Sequence, residues 1–365
     1  MKRRNYTGAG RTTLGLALLG ILAAWSTLLA QEIIENPAKP KAAKNAGRVL
    51  KLAEAWRITD EAGEFYFQMP YDLQVAEDGS IFLADRKELL KFSPDGKYLK
   101  NLYKKGQGPG EIGDDFYFHV FGHDLFIQEY PSQRFWRTDL DGVFKEQIDL
   151  ASKDYRGFLG VLPDGFLFLK TDWPPPSERT GKLMEIPQIV AFVGRDGKER
   201  KDVATFRPRD FLAPQAATSM SAKITALGPD GRFLYAFHGR DYLVEVVDLA
   251  AGTVVKRFTR AYPKVPHAEK EWEANFRKRF NSPKLEHEID VKALYPVGER
   301  LWVETSTEDK AKGRLIDVFD KDGRFVDSFY LGAGRVLMAV QEDAVYCQEK
   351  REDETITIVK YRIEK

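Results

Sequence analysis

The chain has 365 residues, enough for one large domain or two modest ones. Of its 56 lysines and arginines, four lie in the first thirty residues, which contain no acidic residue; the remainder carries 52 basic and 55 acidic residues, a net charge of −3. This balance argues against a nucleic-acid partner. Cys347 is the only cysteine, which excludes an internal disulfide and a thiolate metal cluster.

The N-terminus has the layout of an export signal. Lys2, Arg3 and Arg4 form a positive region, and residues 14–30 are continuously apolar but slightly short for a membrane span. We expect a signal peptide over residues 1–30 and an exported protein, periplasmic or extracellular. The alternative is an uncleaved signal that anchors the protein, and this is the only membrane contact that we expect. Residues 31–46 are rich in proline, alanine and lysine and are expected to form a flexible tether.

Residues 70–103 have the pattern of four antiparallel strands. Asp78-Gly79 separates the first two strand-like runs, and Asp95-Gly96 separates the last two. Such Asp-Gly pairs are strong hairpin signals, because glycine accepts the positive φ of a tight turn. Four strands of this kind cannot bury both faces alone, but they can when they are stacked radially beside similar units.

This unit resembles the NHL-type propeller repeat. Pro70, Val75, Asp78-Gly79, Ala84-Asp85 and Gly96 stand where such repeats place their proline, valine, turn glycine, Ala-Asp pair and second turn glycine. The segment GQGPGE at residues 106–111 is similar to the GxGPGE segment of bacterial six-bladed propellers related to NHL-repeat proteins. The resemblance implies the fold and no activity, since propellers include binders, scaffolds and enzymes.

Five further units with the same order of strands and turns are predicted. They begin near residues 116, 158, 223, 291 and 336. Residues 47–58 are expected to supply the fourth strand of the last unit, because the N-terminal strand commonly closes such a ring. The predicted fold is therefore all-β: a six-bladed β-propeller of four-stranded antiparallel blades over residues 47–365, closed by an N-terminal strand. A seven-bladed ring with a degenerate blade near residues 260–288 is the alternative.

One helix is predicted inside the propeller, over residues 268–280. Trp272, Phe276 and Phe280 recur there at helical spacing, and we expect them to pack the helix onto the disk. The helix belongs to one of three long insertions, at residues 172–187, 207–221 and 260–288. All three fall in links that open on one face of the disk. We expect them to form a wall or partial lid over the mouth of the central channel, which is the default pocket.

The candidate binding residues lie on that face, at the ends of second strands or in the insertions. They are Arg86, Glu129, Arg134, Asp172, Trp173, His238, Arg240, Asp241 and Glu308. His119 lies in an innermost strand and is expected to point into the channel. The four acids in this set are also interpreted as solvated or paired with a neighbouring arginine. No histidine spacing typical of a metal site and no GxSxG motif occurs, so we expect no resident metal or cofactor.

We therefore predict an exported, non-catalytic binding or scaffold protein. It would use the face with the long loops and the channel mouth to bind a protein, a peptide or a carbohydrate. The alternative is an enzyme, because six-bladed relatives include lactonases and lyases that hold a divalent metal over the channel. In that case Glu129, Asp172, Asp241 and Glu308 are the candidate oxygen ligands.

Overall fold

The computed structural model describes residues 32–41, 43–60, 63–113 and 115–364. The predicted signal peptide, residues 1–30, lies outside this part of the chain. The first three strands are β1 (Ile33–Asn36), β2 (Arg48–Val49) and β3 (Leu52–Ile58). Within the described ranges, no helix is long and apolar enough to cross a membrane.

Six sheets, numbered here in chain order, each contain four antiparallel strands that follow one another across the sheet. Sheet 1 contains β4 (Pro70–Val75), β5 (Ile81–Asp85), β6 (Glu88–Phe92) and β7 (Tyr98–Asn101). Sheet 2 contains β8 (Asp115–Phe121), β9 (Asp124–Tyr130), β10 (Phe135–Asp139) and β11 (Phe144–Gln147). Sheet 3 contains β12 (Tyr155–Leu162), β13 (Gly165–Thr171), β15 (Gln188–Gly194) and β16 (Glu199–Phe206). β14 (Lys182–Glu185) belongs to the link between β13 and β15 and is not part of this sheet.

The other sheets follow the same order. Sheet 4 contains β19 (Ile224–Leu227), β20 (Phe233–Phe237), β21 (Val244–Asp248) and β22 (Thr253–Arg260). Sheet 5 contains β23 (Val291–Val297), β24 (Arg300–Asp309), β25 (Gly313–Asp320) and β26 (Phe325–Tyr330). Sheet 6 contains β27 (Arg335–Val340), β28 (Ala344–Lys350), β29 (Ile356–Ile363) and β3. A small seventh sheet is formed by β14, β17 (Arg209–Ala213) and β18 (Ala216–Thr218).

The first strands of the six four-stranded sheets contact one another in chain order. β4 contacts β8, and the series continues through β12, β19, β23 and β27, which in turn contacts β4. The sheets therefore form a closed circuit with their first strands innermost. The links between first and second strands, and between third and fourth, open on one face, called here the turn face. The other links open on the opposite face, called here the insertion face.

The core lies between neighbouring sheets. Every residue of β5 is buried, and alternate side chains serve two different clusters. Phe82 packs with Phe116 and Phe118 of sheet 2, whereas Leu83 packs with Tyr346 of sheet 6. A second strand is therefore apolar on both faces because each face meets another sheet.

The closing strand is β3, as the sequence predicts. It pairs antiparallel with β29, from Leu52 opposite Ile363 to Ile58 opposite Ile358. Trp56 of β3 donates a hydrogen bond to the carbonyl of Pro94, 3.0 Å away in the second turn of sheet 1. The start of the expected 47–58 strand does not join sheet 6. Instead, Arg48–Val49 pairs in parallel with β26 at the edge of sheet 5.

The segment expected to be a tether contains an edge strand. β1 pairs in parallel with β22, and the side-chain amide of Asn36 donates to the carbonyls of Thr259 and Gly323, each at 2.9 Å. The Asn36 side chain also accepts the backbone N–H of Phe325 at 2.9 Å. The prediction of a flexible tether was therefore wrong for these residues, because sheets 4 and 5 supply backbone partners that the segment's composition does not reveal.

The insertions contain the small sheet, a 3₁₀ turn (Pro176–Glu178) and one helix, α1 (Glu271–Phe280). Phe211 of the small sheet forms a cluster with Phe276 and Phe280 of α1. The helix thus packs on the other insertions, and Trp272, expected to face inward, is 57% exposed. Residues 260–288, where the seven-bladed alternative placed an extra blade, have no strand after Arg260.

Candidate functional site

A cavity of about 730 Å³ opens on the insertion face beside the innermost strands of sheets 1 and 2. We call it the tyrosine cavity. Its lining residues come from the link before β4, the starts of β4 and β8, the turn after β5 and the end of β9. They are Met69, Tyr71, Arg86, Lys87, Asp115, Phe116, Tyr117 and Tyr130. The cavity thus lies at the insertion-face ends of strands in sheets 1 and 2, whereas the insertions arise from sheets 3 to 5.

Asp85 builds one wall of the tyrosine cavity. Its carboxylate is buried and accepts the backbone N–H groups of Gln68 and Met69, at 2.7 and 2.5 Å. Gln68 in turn accepts a hydrogen bond from Arg86 at 2.8 Å. Asp85 therefore holds the link that enters sheet 1, and this arrangement places Met69 and Arg86 on the same side of the cavity.

The cations of the cavity sit on a tight turn. Asp85 pairs with Glu88, so only Arg86 and Lys87 form the connection between β5 and β6. Arg86 has a φ of 47°, in the left-handed region that favours glycine. Both side chains are exposed. Among the described residues, no carboxylate forms an ion pair with either cation.

The aromatic side chains of the cavity are accessible and held in place. Tyr71 is 45% exposed and Tyr117 41% exposed. The Tyr71 hydroxyl donates to the carbonyl of Phe116 at 3.1 Å, which fixes its ring. Burial raises the pKa of Tyr71, and burial followed by the neighbouring Tyr130 and Asp115 raises the pKa of Tyr117. Both hydroxyls therefore remain protonated at neutral pH and act as donors.

Glu129 and Arg134, two of the sequence candidates, form an ion pair with each other. Their contacts are 2.8 and 2.9 Å, and the Glu129 side chain is fully buried. Glu129 also accepts the backbone N–H of Gly113. Arg134 donates to the carbonyls of Gln107 and Glu111, each at 3.0 Å. The pair thus holds the GQGPGE segment between sheets 1 and 2.

Asp85 and Glu129 occupy the same place in consecutive sheets. Each stands near the end of a second strand, and each accepts backbone N–H groups from the link that leads into its own sheet. In sheets 1 and 2, the acid at this position therefore helps to hold the link that precedes the sheet.

Three candidates lie between the second and third strands of sheet 4, and each contacts other protein groups. Arg240 donates to the carbonyl of Met220 at 2.9 Å and to that of His287, and so connects two insertions. Asp241 is exposed and pairs with Lys264. His238 stacks on Phe206 with a ring separation of 4.1 Å. Burial, followed by the charge of Lys223, lowers the pKa of His238 to about 3, so its ring is neutral.

The other candidates lie apart from the tyrosine cavity. Asp172 is exposed, Trp173 is 42% exposed, and Glu308 lies 3.8 Å from Arg314 at an exposed position. His119 donates to the carbonyl of Phe158 at 3.1 Å, and burial lowers its pKa to about 4. It lines a different cavity, of about 430 Å³, that opens toward the turn face.

Of the nine binding candidates, only Arg86 lines the tyrosine cavity. The residues predicted from the sequence do not include Tyr71, Tyr117, Lys87 or Met69. A signal was present: a tyrosine stands near the start of the innermost strand in two consecutive units, where the repeat needs no aromatic side chain. Among the described residues, no three His, Cys, Asp or Glu side chains converge as a metal site requires.

The chain is similar to known proteins in its fold. No family model matches the chain, and no curated protein matches it. A candidate exported protein of Bacteroides fragilis matches with a TM-score of 0.56 and 11% identity, covering 92% of this chain and 100% of that one. A member of the DUF4221 family from Bacteroides vulgatus matches with a TM-score of 0.51 and 10% identity, covering 87% and 99%.

The chain is a β-propeller. The closed circuit of four-stranded antiparallel sheets carries this assignment. Similarities at 10 and 11% identity concern architecture alone. The WD40 domain of Neurospora crassa Pan2 also matches, with 10% identity, a TM-score of 0.43 and coverage of 87% of this chain and 98% of that one.

Proposed function

We propose that this chain is an exported, non-catalytic β-propeller that binds a ligand in the tyrosine cavity. The ring is six-bladed in this proposal, with the small seventh sheet as part of the insertions. Two observations support that count: the six innermost strands contact one another in a closed circuit, and β14, β17 and β18 have no contacts of that kind with them. The repeat pattern at Pro70, Val75 and Gly79 supports a relation to NHL-type propellers.

The tyrosine cavity carries the proposal. Its volume of about 730 Å³ is in the range of small-molecule sites, about 300–1,000 Å³. Met69 and Tyr71 expose large apolar surfaces in it, and surfaces of this kind are typical of binding sites. The cavity also combines aromatic rings with cations and one acid, which allows a ligand to be oriented as well as buried.

Export is supported by the N-terminal pattern of a basic region followed by apolar residues 14–30. The test is cell fractionation of the full chain. Cleavage after Ala30 and recovery outside the cytoplasm is the expected result. Retention of the uncleaved chain in the cytoplasm would contradict this part of the proposal.

Ligand binding is tested with a broad small-molecule library and thermal-shift detection on the mature chain. We expect hits that stabilise the wild type and lose at least tenfold in affinity in Tyr117→Ala. Phe121→Ala is the matched control, because Phe121 is at the other end of β8, on the turn face, with 37% exposure against 41% for Tyr117. If no hit depends on Tyr117, or if hits depend equally on Phe121, the proposed site is wrong.

The enzyme alternative, a lactonase or lyase with a divalent metal at the channel mouth, makes a different prediction. It requires stoichiometric binding of a divalent ion, and elemental analysis with a thermal-shift metal screen would detect it. Stoichiometric binding that disappears when Glu308 or Asp172 is replaced by alanine would favour the enzyme over the binding protein.

A further inference from the structure

The charges of the tyrosine cavity differ from those of the other large apolar cavity. That second cavity, of about 620 Å³, opens on the turn face between sheets 4 and 5. Its cations already have protein partners: Arg232 pairs with Asp248 at 3.2 Å, and Lys321 pairs with Glu299 at 3.1 Å. In the tyrosine cavity, by contrast, Arg86 bonds the neutral Gln68, and the described residues provide no ion pair for Lys87.

The backbone conformation at Arg86 favours glycine, not arginine. A φ of 47° is the region where glycine is preferred, yet the turn carries an arginine whose guanidinium is exposed at the cavity. Backbone outliers of this kind concentrate at ligand-binding positions. Arginine is also the side chain best suited to bind a carboxylate, through two parallel N–H donors.

The same cavity is also lined by an acid, Asp115. Asp115 lies close enough to Tyr71 and Tyr117 to raise the pKa of both hydroxyls. A carboxylate there accepts hydrogen bonds from ligand hydroxyl groups and repels a second anion. The exposed rings of Tyr71 and Tyr117 line the same cavity and offer flat apolar surfaces.

We propose that the ligand of the tyrosine cavity is an acidic saccharide, such as an oligomer of uronic acid. Its carboxylate is bound by Arg86 and Lys87, the apolar face of a sugar ring packs on Tyr71 or Tyr117, and ring hydroxyls donate to Asp115. An aromatic carboxylate satisfies the cations but offers no hydroxyls to Asp115, and a neutral sugar leaves the two cations unpaired. This inference rests on the proposed function, since it specifies the ligand class of the same cavity.

The test uses three probes on the mature chain with isothermal titration calorimetry: a galacturonic acid trimer, its fully methyl-esterified and therefore neutral counterpart, and benzoate. The acid trimer is expected to bind at least tenfold more tightly than the other two, and its affinity is expected to fall with salt. Arg86→Gly and Lys87→Gln are each expected to weaken the acid trimer about tenfold and to leave the ester unchanged. Lys97→Gln is the matched control, because Lys97 is an exposed lysine on the turn face of the same sheet.

The results separate this inference from the proposed function. Equal affinity for acid and ester, tighter binding of benzoate, or full affinity in Arg86→Gly would overturn the saccharide inference and leave the cavity as a binding site. If none of the probes binds while the library yields ligands that depend on Tyr117, only the ligand class is wrong. If neither probes nor library ligands depend on Tyr117, both proposals fail. Arg86→Gly suits this test because glycine is favoured at that φ, so loss of affinity does not reflect loss of folding.

Discussion

Asp72→Asn should stabilise the propeller at neutral pH. Asp72 lies in β4, the innermost strand of sheet 1, and accepts a hydrogen bond from Gln74 at 3.1 Å. Burial raises the pKa of Asp72 from its ordinary value of 3.8 to about 6, and the Gln74 hydrogen bond opposes part of this rise. The charged form is therefore less favourable in the folded chain than in the unfolded chain.

The sign of the effect follows from this difference. The folded chain binds the proton of Asp72 more tightly than the unfolded chain does. Protonated Asp72 therefore stabilises the folded wild type fully below about pH 4, and this contribution is lost as the pH rises through 6. A difference of about two pKa units corresponds to about 3 kcal/mol. Because the side chain is only half-buried and solvent screens its charge, we expect about 1–2 kcal/mol at pH 7.5.

The assay is urea denaturation of the wild type and the variant at several pH values from 5 to 8. Asparagine keeps the acceptor for Gln74 and removes the charge. The variant should be more stable at pH 7.5, and its advantage should fall to about half at pH 5. His119, whose pKa is lowered to about 4, loses stabilisation as the pH falls through 6.5 toward 4, but this opposite contribution is present in both chains and cancels in the difference. A variant that is no more stable at pH 7.5, or an advantage independent of pH, would refute the reasoning.

Three further substitutions test the structural elements around the site. Arg86→Gly should raise the free energy of unfolding by about 1 kcal/mol, because it relieves a left-handed φ of 47°; a loss of stability in urea denaturation would show that the Arg86 side chain contributes more than the backbone costs. Arg134→Met should cost about 3–5 kcal/mol, since it leaves the buried Glu129 without its cation, and the double variant with Glu129→Gln should recover part of that loss. Equal stability of single and double variants would argue against an energetic pair. Asn36→Ala should cost about 1–3 kcal/mol and accelerate amide exchange at Phe325; unchanged exchange there would mean that β1 is not held by this side chain.

The acids at the ends of second strands show where sequence reasoning reached its limit. The repeat pattern predicts that Glu129 lies near the end of a second strand, and the structure places it there, in β9. Pairing with a neighbouring arginine is one of the interpretations that the sequence allows, and Arg134, five residues away, is that arginine. The bond from the backbone N–H of Gly113, in the preceding link, has no signal in the sequence. Which groups meet at the end of a strand depends on the path of the link, and that path is set by neighbouring sheets.

Which residues together line the tyrosine cavity could not be predicted from the sequence either. Tyr71 and Tyr117 are 46 positions apart in equivalent places of two units, and the pattern alone reads them as ordinary strand residues. They line one cavity because β4 and β8 are adjacent in the circuit. Lys87 joins them only because Asp85 and Glu88 pair and restrict the turn to two residues.

The amino-acid sequence by itself determined the strands, the Asp-Gly turns, the closing strand β3 and the positions of the insertions. These features depend on the local alternation of apolar and polar residues, on glycine at positive φ, or on the burial of a second strand between two sheets. The tertiary structure alone decided that β1 joins sheet 4 and that α1 packs on the small sheet. It also decided that exposed tyrosines share a cavity with two cations for which the described residues provide no ion pair. These features depend on partners distant in the chain, and the backbone hydrogen bonds and charges that those partners supply leave no periodic signal in the residues that receive them.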